Sequence, residues 1–219
     1  HRELKHCRAG RMAKEKQTLG MHRKEHKLIM KRKSIGARHE MIVQPTFIIG
    51  TYNEDGTPDF APITWVSKTC EKDRDYLIII SMYGTKQTKR NVQRTGQFSV
   101  NLATPPMLEL VDYFGQTSGK NGQKKAVPYA WDKALCVEAP TLDVSPWVCE
   151  CEVARTVTTG ESDTFFCKMK NVQVDEGIDV DTKGIDLTDF NPVVYSGNYH
   201  SIGEYLGAIG DFYAKGKDC

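Results

Sequence analysis

The chain has 219 residues, 39% of them hydrophobic and 26% charged, which is typical of one globular domain with a complete core. Its longest apolar run, Tyr76–Ile80, is far shorter than the roughly 20 apolar residues of a membrane span. The basic N-terminus lacks the apolar stretch of a secretory signal, so we expect a cytoplasmic protein with no membrane partner.

The net charge of +2 is unevenly divided, because residues 1–33 hold twelve Lys and Arg against three Glu. Apolar residues in this segment are too sparse to bury a face, so we predict a flexible basic tail. A basic arm can bind nucleic acid, but no aromatic residues interleave these charges, and nucleic acid is not the favoured partner. The folded domain is predicted over residues 41–210, with a C-terminal tail over residues 211–219.

Strand patterns begin near residue 41. Met41–Tyr52 is rich in β-branched and aromatic residues and leads to Asp55-Gly56, a hairpin signal, so Asp59–Ser67 is the predicted return strand. Asp75–Met82 is a nearly continuous apolar run, typical of a strand buried on both faces. Further strands are predicted at Gln97–Ala103, Trp147–Val157, Asp163–Val174 and Pro192–Ser196.

Three helices interrupt the strands. Thr85–Thr95 is almost wholly polar, with Val92 as its apolar anchor. A second helix begins at Thr104-Pro105-Pro106 and ends at Gly115, and a third is predicted at Ser201–Tyr213. Many short strands with few helices indicate a closed β-barrel or a sandwich.

The seven cysteines are scattered and show no Cys-x-x-Cys spacing, so they match neither a disulfide framework nor a zinc site. Cys149 and Cys151 are two apart in a predicted strand and therefore lie on one face. We predict buried, reduced packing residues, and a redox or metal role together with Cys167 is the alternative.

The polar segment Ser81–Asn91 follows the buried strand directly and opens a helix, with Thr85 as the predicted N-cap. A helix start offers unpaired N–H groups and a partial positive charge, which suit a phosphate. Lys86 adds a full charge, and Ser81, Thr85 and Thr88 add hydroxyl donors. The alternative is an ordinary capped helix facing solvent.

A second segment, Pro58–Ser67, carries a proline inside a predicted strand. Pro62 lacks a backbone donor and indicates a sheet edge or a bulge, which leaves neighbouring backbone groups free to face a ligand. Trp65 is placed to wall an apolar slot. The alternative is a core tryptophan on an edge strand.

Across roughly residues 41–210 the chain carries, in this order, the motifs Pro45–Thr51, Ala61–Ser67, Thr85–Thr88, Thr95–Leu102, Ser118–Lys120, and Pro192–Tyr195 with Tyr199. Taken together, these segments resemble the flavin reductase-like, FMN-binding split-barrel family, which includes flavoredoxin. The chain departs from the family pattern at two places: Gln87 replaces an acidic residue, and Asp59-Phe60 replaces an Asn-containing pair.

The resemblance implies a mainly β fold, a six-stranded Greek-key split barrel with a few short helices. It implies a homodimer with FMN at or near the subunit interface. The implied FMN contacts are Thr64, Trp65, Val66 and Ser67 to the ring; Ser81, Thr85, Lys86 and Thr88 to the phosphate; and Asn101, Ser118 and Lys120 to the ring or ribityl chain.

The implied activity is NAD(P)H-dependent reduction of flavin, followed by electron transfer to a small-molecule or protein acceptor. The alternative is a non-enzymatic FMN carrier, like flavoredoxin, that serves a redox partner. Hydride transfer between nicotinamide and flavin needs no protein acid or base, so no catalytic residue is predicted. No metal site is predicted either.

Overall fold

The computed structural model describes residues 31–38, 42–117, 128–180, 186–209 and 211, with the backbone alone at position 187. The chain divides into two units, His1–Arg38 and His39–Cys219. In the first unit, residues 31–38 are exposed and form no helix or strand. Most of both predicted tails lies outside the described residues, so the boundaries at 33, 41 and 210 stay predictions. Across the described ranges, no helix is long and apolar enough to cross a membrane.

The described part of the second unit is dominated by strands. Its strands are β1 (Gln44–Pro45), β2 (Phe47–Tyr52), β3 (Pro58–Ile63), β4 (Val66–Cys70), β5 (Tyr76–Tyr83), β6 (Gln97–Leu102), β7 (Trp131–Lys133), β8 (Pro140–Leu142), β9 (Trp147–Thr159), β10 (Ser162–Val174), β11 (Val193–Tyr195) and β12 (Tyr199–Ser201). The α-helices are α1 (Gln87–Thr95), α2 (Leu108–Gln116) and α3 (Leu187–Phe190), with 3₁₀ helices at Lys72–Arg74 and Pro105–Met107.

The main sheet is antiparallel, with the strand order β3-β2-β6-β9-β10-β5-β4. Two smaller sheets, β1-β11-β12 and β7-β8, accompany it. Although β3 and β4 are consecutive in the chain, they form opposite edges of the main sheet, which therefore stays open. This arrangement confirms the predicted mainly β split barrel.

The main sheet has seven strands rather than six because the predicted return strand Asp59–Ser67 is divided at Thr64-Trp65. The first half, β3, pairs with β2, whereas the second half, β4, pairs with β5. A tight turn separates the halves, since the Val66 N–H donates to the Thr64 carbonyl at 2.9 Å. The Trp65 carbonyl then accepts from the Ser81 N–H at 2.9 Å, which ties the turn to β5.

Alternation along the strands gives the sheet two buried faces. Ile49 and Phe98 belong to the barrel core, and Val92 anchors α1 against it, as predicted. Ile48 points the other way and packs with Phe60 and Phe114 beneath α2. The last two rings stack with their centroids 5.8 Å apart. The helix α2 thus covers the outer face of β2 and β3.

The helix boundaries correct two predictions. Helix α1 begins at Gln87, and Lys86 rather than Thr85 is its N-cap, with an extended backbone. The predicted helix Ser201–Tyr213 is wrong in its described part, because residues 202–209 form no helix. Gly203 and Gly207 disfavour a helix there, and Gly207 has a φ of +144°.

The cysteines of the barrel are buried and reduced. Cys149, Cys151 and Cys167 lie in the core, and the first two sulfurs are 3.7 Å apart, too far for a disulfide. Burial is the main reason that the pKa of Cys167 is raised to about 12. By contrast, Cys70 and Cys136 are exposed.

We expect a thiol reagent to modify Cys70 and Cys136 of the native protein rapidly, and the three core cysteines only after denaturation, because the reagent cannot reach buried thiols. Peptide mapping by mass spectrometry after timed labelling measures the order. Labelling of Cys167 at the rate of Cys70 without denaturant would contradict the assigned burial.

Candidate functional site

A cavity of about 370 Å³ lies where β3 and β5 end and α1 begins. Helix α2 and the β11–β12 hairpin complete its walls. The volume falls in the range of about 300–1,000 Å³ that is typical of ligand pockets. The lining residues are Thr46, Pro62, Ile63, Thr64, Trp65, Ser81, Met82, Tyr83, Lys86, Val111, Tyr195 and Tyr199.

One end of the cavity is suited to an anion. Gly84, with a φ of +71°, turns the chain from β5 towards α1, and the N-cap residue Lys86 lines the cavity. The first N–H groups of a helix have no acceptor within the helix, and here the N-cap Lys86 makes no capping side-chain hydrogen bond and no acidic residue occupies the first turn. The Lys86 ammonium adds a full charge to the partial positive charge of the helix.

Three hydroxyl groups were predicted to bind the phosphate beside Lys86. Of these, only the Ser81 hydroxyl belongs to a residue that lines the cavity. The Ser81 Oγ lies 2.8 Å from the Thr164 Oγ1, so it keeps acceptor or donor capacity for a ligand. Thr85 is exposed and precedes the N-cap, outside the cavity lining.

The structure does not support the predicted contact between the Thr88 hydroxyl and the phosphate. The Thr88 side chain is buried beneath α1, and its hydroxyl donates to the Asp59 Oδ2 at 2.5 Å. The Thr88 hydroxyl therefore ties α1 to β3 instead of facing the cavity. Asp59, one of the two departures from the family pattern, is the acceptor of this bond and is itself buried.

The other side of the cavity is formed by the end of β3 and the turn after it. Pro62 lies on an edge strand, as predicted, and Trp65 is 49% exposed, so the alternative of a core tryptophan is wrong. The Thr64 hydroxyl donates to the Gln44 Oε1 at 3.2 Å. Beyond the turn, Val66 packs against the barrel core and Ser67 is exposed, and neither belongs to the cavity lining.

Asn101 has a structural role in place of the predicted flavin contact. Its Nδ2 donates to the Ile48 carbonyl and the Ser99 Oγ, each at 2.9 Å, and its Oδ1 accepts from the Leu142 N–H at 2.8 Å. The amide is thus fully engaged between β2, β6 and β8, away from the cavity. Ser118 and Lys120 lie outside the described residues.

Several lining residues had no predicted role, among them two tyrosines and Thr46. Tyr195 and Tyr199 pair across the β11–β12 hairpin with ring centroids 5.8 Å apart, and the Tyr199 hydroxyl donates to the Asp112 Oδ1 at 2.9 Å. Burial and this carboxylate raise the pKa of Tyr199 to about 12, so its phenol is protonated at neutral pH. Both tyrosines belong to the last matching motif, which was a usable signal. Thr46 likewise lies in a matching motif, Pro45–Thr51.

The open antiparallel barrel places the chain in the class of split-barrel flavin reductase-like proteins. The chain belongs to the flavin reductase like domain family, whose sequence model matches residues 38–203.

Solved structures show the same fold. Flavoredoxin of Desulfovibrio vulgaris (Miyazaki F) has a TM-score of 0.75 at 24% identity, over 83% of this chain and 98% of that chain. Flavoredoxin from Methanosarcina acetivorans has a TM-score of 0.75 at 19% identity, over 85% and 100%. Nitrilotriacetate monooxygenase component B from Bacillus cereus has a TM-score of 0.67 at 16% identity, over 82% and 100%.

Proposed function

We propose that the protein binds FMN in this cavity and is an NAD(P)H-dependent flavin oxidoreductase that passes electrons to a small-molecule or protein acceptor. One observation carries the proposal: a cationic, uncapped helix N-terminus and an exposed tryptophan line the same cavity. Membership of the flavin reductase like family supports the reaction class.

The chemistry of the lining residues fits the parts of FMN. The dianionic phosphate matches Lys86 and the first N–H groups of α1. Ile63, Met82 and Val111 offer apolar surface for a flat ring system, and Trp65 offers an aromatic face. Among the described lining residues none is acidic, so no carboxylate in the wall opposes a bound phosphate.

Bound FMN would provide the hydride and electron chemistry, and the residues of the chain bind and orient it. Lys86 and the start of α1 fix the phosphate end. The half-exposed Trp65 and Tyr83 leave the cavity mouth open to a nicotinamide or an electron acceptor.

Steady-state oxidation of NADH and NADPH by the FMN-loaded protein tests the enzymatic role. We expect turnover with free flavin as the acceptor and without any partner protein. Tight FMN binding with no turnover, together with reversible chemical reduction of the bound flavin, would instead favour the carrier function.

We also propose a homodimer. The segment 202–209 carries the exposed apolar side chains Tyr205, Leu206 and Ile209 and has no regular structure of its own. Exposed apolar groups of this kind are typical of protein interfaces. Light scattering coupled to gel filtration should give about twice the chain mass of 24.7 kDa. A single-chain mass at micromolar concentration would contradict the dimer.

We expect Trp65→Ala to weaken FMN binding about tenfold and to change the fluorescence of the bound flavin, because an indole stacked on a ring contributes roughly 1–3 kcal/mol. A fluorescence titration measures both effects. Trp131→Phe is the control, since Trp131 lies on β7 outside the cavity. An unchanged signal and affinity in Trp65→Ala would place the indole away from the flavin.

A further inference from the structure

The turn of the β9–β10 hairpin contacts the start of α1. Strand β10 pairs with the three residues of β5 that line the cavity, in the register Thr164–Ser81, Asp163–Met82 and Ser162–Tyr83. None of the paired β10 residues lines the cavity itself. The hairpin therefore supports the strand that forms this wall and reaches the helix that follows it.

A buried ion pair fixes α1 to this hairpin. The Lys89 ammonium, in the first turn of α1, lies 3.2 Å from the Asp163 Oδ2, and the two side chains are only 10% and 5% exposed. The Asp163 carboxylate also accepts from the Gln93 Nε2 and the Thr158 Oγ1, each at 2.6 Å. The bond from Thr158, with those from Lys89 and Gln93, holds the pKa of Asp163 below its ordinary value, so the carboxylate is ionised at neutral pH.

The Glu161 carbonyl, in the turn of the hairpin, joins the two ends of the segment that leads into α1. It accepts from the Lys89 Nζ at 2.8 Å and from the Gly84 N–H at 3.1 Å. Gly84 precedes the helix and Lys89 lies in its first turn, so one oxygen atom restrains both. Lys86, the N-cap residue, lies between them in the chain.

Stability alone is a weak reason for burying an ion pair. Removing two charges from water is costly, and apolar residues of similar volume often replace such a pair without loss of stability. A pair whose oxygens are also hydrogen-bonded does fix the relative position of the elements that it joins. Phosphate binding needs a fixed position, because a helix start binds an anion only when its N–H groups point at the anion.

From this arrangement we propose that Lys89 and Asp163 are positioning residues for the phosphate of FMN, holding Gly84 and the first turn of α1 in the conformation that receives it. The proposal rests on the proposed binding of FMN in the cavity. Neither residue lines the cavity, so both act through the α1 segment and not by contact with the ligand.

Two variants with opposite changes in charge distinguish positioning from electrostatic attraction. Asp163→Asn removes a negative charge and Lys89→Met removes a positive charge, so attraction alone would strengthen FMN binding in the first variant and weaken it in the second. We expect both variants to weaken FMN binding about tenfold, the effect of losing one hydrogen bond to a charged group. Riboflavin, which lacks the phosphate, should bind with unchanged affinity. Fluorescence titrations with both ligands measure the four affinities.

Each variant has a control with the same change in charge. Glu152→Gln removes a negative charge from the same hairpin, where Glu152 forms a surface ion pair with Lys170. Arg90→Ala removes a positive charge from an exposed position of α1. Neither residue lines the cavity, so both controls should keep the wild-type ratio of FMN to riboflavin affinity. Circular dichroism of the flavin-free variants shows that the fold is retained.

The ratio of the two affinities separates positioning from a merely structural role, which would lower both affinities or the melting temperature alone. Asp163→Asn protein that binds FMN as tightly as wild type, or more tightly, would overturn the proposal, as would equal weakening of both flavins. If Asp163→Asn does not fold, Lys89→Met gives the answer, and a loss no larger than that of Arg90→Ala would be the contradicting result. Wild-type protein that binds neither flavin would instead contradict the proposed function itself.

Discussion

Replacing Lys86 with alanine is expected to weaken FMN binding about ten- to a hundredfold and to leave riboflavin binding unchanged. A hydrogen bond to a charged group contributes about 1.5–3 kcal/mol, and the phosphate is the part of FMN that riboflavin lacks. The fold should be unaffected, because Lys86 is exposed and forms no ion pair with the described residues. Fluorescence titrations with both ligands, alongside circular dichroism, measure the effect.

Arg90→Ala is the matched control for this prediction. Arg90 lies on the same helix, is exposed and does not line the cavity. Arg90→Ala therefore changes the net charge by the same amount as Lys86→Ala. If both variants weakened FMN binding to the same small extent, the effect would be general electrostatic attraction. The phosphate would then not be bound at the start of α1.

Replacing Glu150 with glutamine is expected to lower the free energy of unfolding by about 2–4 kcal/mol at neutral pH. Glu150 is fully buried on β9, and its carboxylate accepts from the Cys136 N–H at 2.5 Å, the Asn171 Nδ2 at 2.8 Å and the Gln173 Nε2 at 2.9 Å. An amide would turn an NH₂ group towards one of these donors. Urea unfolding followed by circular dichroism gives the difference.

The stability that Glu150 contributes depends on pH in a defined direction. Burial acts to raise the pKa of Glu150, but the hydrogen bonds from Asn171, Cys136, Gln173 and Leu135 outweigh it, and the pKa lies below its ordinary value. The contribution is therefore present above the unfolded pKa of about 4.3 and is lost as the pH falls through the lower folded pKa. The difference between wild type and Glu150→Gln should shrink in acid.

Glu152→Gln is the control on the same strand. Glu152 forms a surface ion pair with Lys170 at 3.8 Å, and such pairs contribute little. Its substitution should change the free energy of unfolding by less than about 1 kcal/mol. Two results would contradict the role of the buried carboxylate. One is an equal decrease in the free energy of unfolding in both variants, and the other is a decrease in Glu150→Gln that does not change with pH.

Much of the barrel could be predicted because its strands carry local patterns. The apolar run of β5 and the alternation of β9, which places Cys149 and Cys151 in the core, are both visible in the sequence. The division of the return strand at Thr64-Trp65 was not, because both halves are extended and only their pairing, β3 with the preceding strand β2 and β4 with the following strand β5, distinguishes them. The N-cap was also misplaced, since Thr85 is the better cap by residue type but Lys86 has the required backbone conformation.

The candidate site could be predicted in outline and not in its individual hydrogen bonds. The order of the motifs predicted that Trp65, Ser81 and Lys86 belong to one site, and all three line the same cavity. The partner of Thr88 could not be predicted, because Asp59 is 29 residues away and reaches it only after packing.

A crystal structure of the protein reconstituted with FMN tests the central claim most directly. We expect the FMN phosphate within hydrogen-bond distance of the Lys86 Nζ and of the first backbone N–H groups of α1, with the ring beside Trp65. A phosphate bound elsewhere, with the start of α1 contacting only water, would contradict the account.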